Sequence, residues 1–148
     1  MDSLHPVSRT ALVTGSGRNI GRSIAVAIGG LGHNVVVNGS ADRAACEAVA
    51  AEVEQAGGRA VVAMGDVGRR ESFDHLIEVA HDTFGSVDIL INNAAIRPEK
   101  PFLDTTDADW HRVLDVDLNA VFYGCRAALP GMVSNNWGRI INLTGMNA

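Results

Sequence analysis

Thr14-Gly15-Ser16-Gly17-Arg18-Asn19-Ile20-Gly21 decides the fold. Ahead of it stands Ala11-Leu12-Val13, a short apolar β-type segment. Behind it Ile20, Ile24 and Ile28 recur every four residues, as on one helix face. A strand, a glycine-rich turn and a helix opening together present backbone N–H groups to a pyrophosphate in dinucleotide-binding folds. Glycine suits such a turn because a Cβ would hold the backbone away from the phosphate oxygens. Taken alone, the stretch fits a plain strand–helix turn equally well, so the following segments must decide.

Those segments alternate. Asn34-Val35-Val36-Val37-Asn38 reads as a second buried strand. Asp42 offers an N-cap to a second helix with the apolar stripe Ala45, Val49, Val53 and Ala56, which Gly57-Gly58 ends. Ala60–Met64 is a third strand running into Gly65-Asp66-Val67, and Phe73, Leu76, Ile77, Ala80 and Phe84 mark a third helix closed by Gly85. Val87–Ile91 is a fourth strand leading to Asn92-Asn93-Ala94-Ala95, and Pro98 and Pro101 keep the next stretch a loop. Thr106 and Asp109 make a capping-type start to a long helix carrying Trp110, Val113, Leu114, Leu118, Val121, Phe122 and Cys125, with Pro130 near its last turn. Gly138 to Thr144 is the fifth strand.

Strands that are apolar throughout, alternating with helices, call for a parallel sheet covered on both faces. Right-handed crossovers then predict an α/β, Rossmann-type doubly wound sheet of five strands in the order 3-2-1-4-5, in three α-β-α layers. The cleft of such a sheet lies at the carboxyl ends of the first and fourth strands. The glycine turn, residues 38–43, Asp66-Val67, residues 92–95 and Thr144-Gly145 converge on that rim, which favours nucleotide binding over a plain turn.

Whole-chain properties exclude other classes. At 148 residues the chain suits one domain, which would bury roughly two-thirds of its unfolded surface. A net charge of −5 argues against a nucleic-acid partner, which needs a positive face. No apolar run approaches the roughly 20 residues needed to cross a bilayer. Residues 1–10 lack a hydrophobic signal core and are expected to be a short loose tail. Cys46 and Cys125 stand far apart, as two reduced thiols of a cytoplasmic protein would. His5, His33, His75, His81 and His111 show no ligand spacing, so no metal site is expected.

The rim residues suggest roles. A fold that prefers NAD carries a carboxylate about 20 residues past the first glycine to hold the ribose hydroxyls. Here the second strand ends Asn38-Gly39-Ser40, with no acid until Asp42, while Arg18 and Arg43 lie close by. An absent carboxylate and an available guanidinium suit the 2′-phosphate of NADP, so NADP(H) is favoured over NAD(H). Asp66 either accepts a hydrogen bond from the adenine amino group or caps the turn that follows it. Asn92 and Asn93 need hydrogen-bond partners if buried; one can tie strands together while the other faces the cleft. Asp117 falls within or beside the apolar stripe of the long helix, where a carboxylate needs a partner or an opening to the cleft.

In this order and spacing the motifs resemble the short-chain dehydrogenase/reductase family from about Ala11 to Gly145. The carriers are Thr14-Gly15-x-x-x-Asn19-Ile20-Gly21, Asp66-Val67, Phe84-Gly85-x-Val87-Asp88-Ile89-Leu90-Ile91-Asn92-Asn93-Ala94-Ala95 and Gly138-Arg139-Ile140-Ile141-Asn142. The resemblance implies hydride transfer between NAD(P)(H) and a carbonyl or alcohol. The acyl-carrier-protein ketoreductases and the sugar or steroid dehydrogenases look most alike. It implies that Gly15, Arg18, Ile20 and Gly21 line the pyrophosphate and ribose, Asp66 and Val67 the adenine, and Asn93 and Ala94 the nicotinamide-side ribose. Ser16 and Asn19 in the same turn, and Ser40, complete the expected cofactor contacts. A homodimer or homotetramer paired through the long helix is likewise implied.

The departures are specific. Asn19 replaces the middle glycine of the turn, and Ala95 the last glycine of Asn-Asn-Ala-Gly. Asp117 stands where the family carries a catalytic asparagine. Gly145 stands at its serine, leaving Thr144 as the nearby hydroxyl. The family's Tyr-x-x-x-Lys pair would fall beyond Ala148, and Tyr123, the only tyrosine, lies in another helix. The expectation is therefore a cofactor-binding domain over 11–148, truncated relative to the family and inactive by itself. The alternatives are a non-catalytic nucleotide-binding or regulatory module and an inert truncation product.

Overall fold

A computed structural model describes residues 8–145. Five parallel strands, β1 (Thr10–Val13), β2 (Asn34–Gly39), β3 (Arg59–Met64), β4 (Ile89–Asn92) and β5 (Arg139–Asn142), lie in the order β3-β2-β1-β4-β5. The connecting helices are α1 (Asn19–Gly30), α2 (Arg43–Gln55), α3 (Arg70–Phe84), α4 (Asp107–Leu114) and α5 (Ala120–Ser134). Leu12 pairs with Val36 on one side and Leu90 on the other, which sets the register of the three central strands.

Period-two alternation splits the apolar strand residues between two cores. Ala11, Val13, Val35, Val37 and Ile91 face Ala25 of α1 and Cys46, Val49 and Val53 of α2. Leu12, Val36, Ala63 and Leu90 face Phe73, Leu76 and Ala80 of α3 and Ala120, Ala128 and Met132 of α5. Each large apolar side chain so buried contributes about 1.5–3 kcal/mol, which is why both sheet faces must be covered. Local signals end the helices: the Asp42 carboxylate accepts the Ala45 amide at 2.9 Å, Thr106 and Asp109 form a reciprocal capping box, and Gly85 closes α3 at φ +88°.

Four expectations change. The tail does not extend to residue 10, because Ser8 donates to the Gly32 carbonyl, the Arg9 amide donates to His33 Nδ1, and Thr10 opens β1; residues 1–7 lie outside the described residues. β4 starts at Ile89 rather than Val87, since the Asp88 carboxylate turns to accept the Thr10 amide and the Ser86 hydroxyl. β5 ends at Asn142, so Thr144 lies past the strand. The long helix is interrupted by a π-turn at Asp115–Asn119.

The π-turn also marks a change of face. The buried positions are Val116, Ala120, Gly124, Ala128 and Met132, each four residues from the last. Trp110, Leu118 and Phe122, expected in the core stripe, are exposed. Close approach explains the choice. A Cβ on Gly124 would lie 2.8 Å from the Phe73 ring and 3.0 Å from Asn92 Oδ1, so α5 packs where only small residues fit.

Candidate functional site

The glycine turn is built by its neighbours. Gly15 stands at φ +62°, and a Cβ there would lie 2.9 Å from Ala94 Cα. Thr14 is buried; its hydroxyl oxygen accepts the amides of Asn93 and Ala94 at 3.0 and 3.1 Å. Asn93 returns the contact, donating from Nδ2 to the carbonyls of Thr14 and Gly15 at 2.9 and 3.1 Å. Gly21 sits directly on this clamp: a Cβ would fall 2.5 Å from both Asn93 Nδ2 and the Gly15 oxygen. The opening of α1 is therefore drawn down onto the end of β4.

Ser16 is not at the cleft. Its hydroxyl donates to the Val13 carbonyl at 2.8 Å and accepts the Asn38 amide at 3.0 Å, and its own amide donates to the Asn38 carbonyl. With both groups consumed inside the fold, Ser16 braces the turn. Beyond it, no acceptor among the described residues takes the amides of Arg18, Asn19, Ile20 or Gly21. These are the unsatisfied first-turn donors of α1, carrying the positive end of the helix dipole. Asn19 holds φ +50°, so the turn keeps its left-handed residue without glycine.

These amides open on a cleft of about 420 Å³ lined by Gly15, Arg18, Asn19, Ile20, Ser40 and Asp66, with Val67, Asn93 and Ala94 along the same rim. The donors here are backbone amides at a helix N-terminus, the donor set that suits a diphosphate, and Gly15 and Gly21 keep the frame beneath them closed, since a Cβ at either would clash with it. The two arginines part company. Arg18 lines the cleft, whereas Arg43 lies near Glu47 at 3.8 Å. Gly39 closes the end of β2 against Cys46, whose Sγ would lie 2.5 Å from a Cβ at position 39. Burial pushes the Cys46 thiol up, which suits a packing role rather than a nucleophile.

Of the two roles open to Asp66, the structure shows the cap. Its Oδ1 accepts the Gly68 amide at 3.0 Å, capping the turn, and it lines the cleft. It also meets Arg112 of α4 in a two-point ion pair, Nη2 to Oδ1 at 3.0 Å and Nη1 to Oδ2 at 2.9 Å. Burial alone would raise this carboxyl, but Arg112, the Gly68 amide and Arg69 hold it below its ordinary value. Asn92 ties β4 to β5, donating from Nδ2 to Asn142 Oδ1 at 2.8 Å.

The candidate catalytic positions stay outside the cleft lining. Asp117 is exposed, since the π-turn puts Val116 in the core instead, and its Oδ1 accepts the Ile96 amide at 2.9 Å. Thr144 and Gly145 are exposed past β5, and nothing lies within 4 Å of a Cβ built on Gly145. Sequence reasoning set Asn38 on the rim without a role and gave Cys46 and Arg112 no place there; all three line the cleft. Only Asn38 gave a signal, as a polar residue closing an apolar strand.

Known proteins share this frame. The family model described as short chain dehydrogenase matches residues 9–148. A 3-oxoacyl-[acyl-carrier-protein] reductase of Synechocystis sp. is 37% identical over 139 residues, 94% of this chain and 56% of that protein. A 3beta-hydroxysteroid dehydrogenase 1 of Eggerthella lenta is 37% identical over 140 residues, 94% of this chain and 54% of that protein. The crystal structure of a metagenomic short-chain oxidoreductase in complex with NADP aligns at a TM-score of 0.85 and 32% identity, over 94% of this chain and 63% of its own. The chain thus spans about half the length of the curated relatives it matches. With the family's frame matched along nearly all its residues, this chain belongs to the short-chain dehydrogenases.

Proposed function

We propose that these residues form the cofactor-binding part of an oxidoreductase that uses NADP(H) in preference to NAD(H) on a carbonyl or alcohol substrate. The observation that carries the reading is the row of open amides from Arg18 to Gly21 above the Thr14–Asn93 clamp. A bound nicotinamide dinucleotide supplies or accepts the hydride. The chain's own part is to hold the diphosphate on those amides and the adenine beside Asp66 and Val67. It holds the nicotinamide-side ribose beside Asn93 and Ala94. Preference for NADP(H) is supported by Arg18 in the cleft and by the acid-free end of β2, where Cys46 leaves no room at Gly39. The NADP bound to the metagenomic relative points the same way. The substrate class is that of the relatives, an acyl-carrier-protein-bound, steroid or sugar ketone or alcohol.

A second reading, a non-catalytic nucleotide-binding module, is favoured by one observation: Asp117 is spent on the Ile96 amide and does not line the cleft. Self-association across the α4–α5 face is part of the first reading, supported by exposed Trp110, Leu118 and Phe122. The free thiols Cys46 and Cys125 support a reducing, cytoplasmic setting. No helix among the described residues is long and apolar enough to cross a membrane.

Fluorescence titration tests the reading. NADPH is expected to bind about 10-fold or more tightly than NADH, the scale of one charge-assisted phosphate contact, and Arg18→Ala to erase the difference. Tighter NADH binding would overturn the preference, and binding of neither would overturn the function.

A further inference from the structure

We infer that Arg112 is a positioning residue for the adenine end of the cleft, holding the Asp66 carboxylate so that one oxygen is presented to the exocyclic amino group. The inference rests on the dinucleotide reading above and adds a residue on a different element. A carboxylate has about four lone-pair directions. The Gly68 amide and Arg112 Nη2 take those of Oδ1, while Oδ2 faces Arg112 Nη1 at 2.9 Å as an ion-pair contact and accepts no hydrogen bond from the described residues. Arg69 Nε, at 4.0 Å, is too far to donate to it. A planar guanidinium that donates to Oδ1 and sets its second nitrogen against Oδ2 restrains the carboxylate more closely than the point charge of a lysine would.

The pair is built into the packing. A Cβ on Gly68 would lie 2.6 Å from Arg112 Nη1 and 3.1 Å from Val116 Cγ2, so glycine at 68 leaves the space that the guanidinium occupies. Five residues along from Arg112, Asp117 accepts the Ile96 amide in the loop after β4. β3 and β4 stand on opposite sides of β1, so the α4–π-turn segment bridges the two flanks of the cleft. Arg112 is its hold on the adenine flank.

The experiment compares NADPH with reduced nicotinamide hypoxanthine dinucleotide phosphate, which carries an oxygen in place of the adenine amino group. Affinities are measured for the wild-type chain, Arg112→Ala, Arg112→Lys, Asp66→Asn and the Arg112→Ala/Asp66→Asn double variant. Wild type is expected to favour NADPH. Arg112→Ala should weaken NADPH about fivefold, Arg112→Lys by less, and both should leave the hypoxanthine dinucleotide almost unchanged. In the Asp66→Asn background, Arg112→Ala should cost nothing further. Equal weakening of both dinucleotides, or of neither, overturns the inference while the dinucleotide reading stands. A wild-type chain that binds neither overturns both.

Discussion

The Asn38 carboxamide holds the Gly15 amide: Oδ1 accepts it at 3.2 Å, while Nδ2 donates to the carbonyls of Ala63 and Gly65, both at 3.1 Å. One side chain thus joins the ends of β1, β2 and β3 beneath the turn. Asn38→Ala leaves these three backbone groups, and the Gly39 carbonyl that Nδ2 reaches at 3.5 Å, without that partner. The expected loss is on the order of 3 kcal/mol by urea denaturation, since each unsatisfied buried group costs about 1–3 kcal/mol. A loss under about 0.5 kcal/mol, the level of an ordinary surface change, would contradict the role.

Gly15→Val acts on the fold as well as on the cofactor. A β-branched residue at φ +62° with its Cβ 2.9 Å from Ala94 Cα is strained and crowded at once. A destabilisation of roughly 2–4 kcal/mol is expected in thermal melts. An unchanged melting temperature would show that the turn relaxes freely and does not need glycine there.

Coenzyme preference is expected to pivot on the Gly39–Cys46 contact. Gly39→Asp alone drives its Cβ to within 2.5 Å of the Cys46 sulfur and should lower stability. Combined with Cys46→Ala, the same carboxylate gains room to meet ribose hydroxyls and to repel a 2′-phosphate. Titration should then show the NADPH-to-NADH affinity ratio falling about 10-fold or more. An unaltered ratio in the double variant would remove this end of β2 from the specificity argument.

Acid sensitivity follows from Asp66. Its folded-state carboxyl lies below the ordinary value, through Arg112, the Gly68 amide and Arg69 acting against burial. The resulting stabilisation is full above about pH 4 and is lost as pH falls through the depressed folded value. Asp66→Asn should therefore lie below wild type at neutral pH and converge on it as pH falls below the ordinary carboxylate value. Parallel stability curves through that window would contradict the assignment.

Much of this frame was legible in the sequence, for identifiable reasons. Ala11-Leu12-Val13 and Val35-Val36-Val37 are apolar on both faces, a pattern that suits only a covered parallel sheet. Asp42, Gly85 and the Thr106–Asp109 box act through local hydrogen bonds, so their positions could be read directly. The long helix was misread because periodicity weights large residues. Trp110, Leu118 and Phe122 outweigh the smaller stripe that Gly124 brings against Phe73. The bracing role of Ser16 and the place of Arg112 were hidden for another reason: Asn38 and Asp66, their partners, lie 22 and 46 residues away, and nothing local marks either pairing.

The account depends most on the amides that open α1. An NMR titration of the 15N-labelled chain with NADPH observes them one by one. The resonances of Arg18, Asn19, Ile20 and Gly21 are expected to shift in a saturable manner, while that of Ser16, bonded within the fold, stays comparatively still. Saturable binding that leaves those four amides unmoved would contradict the account.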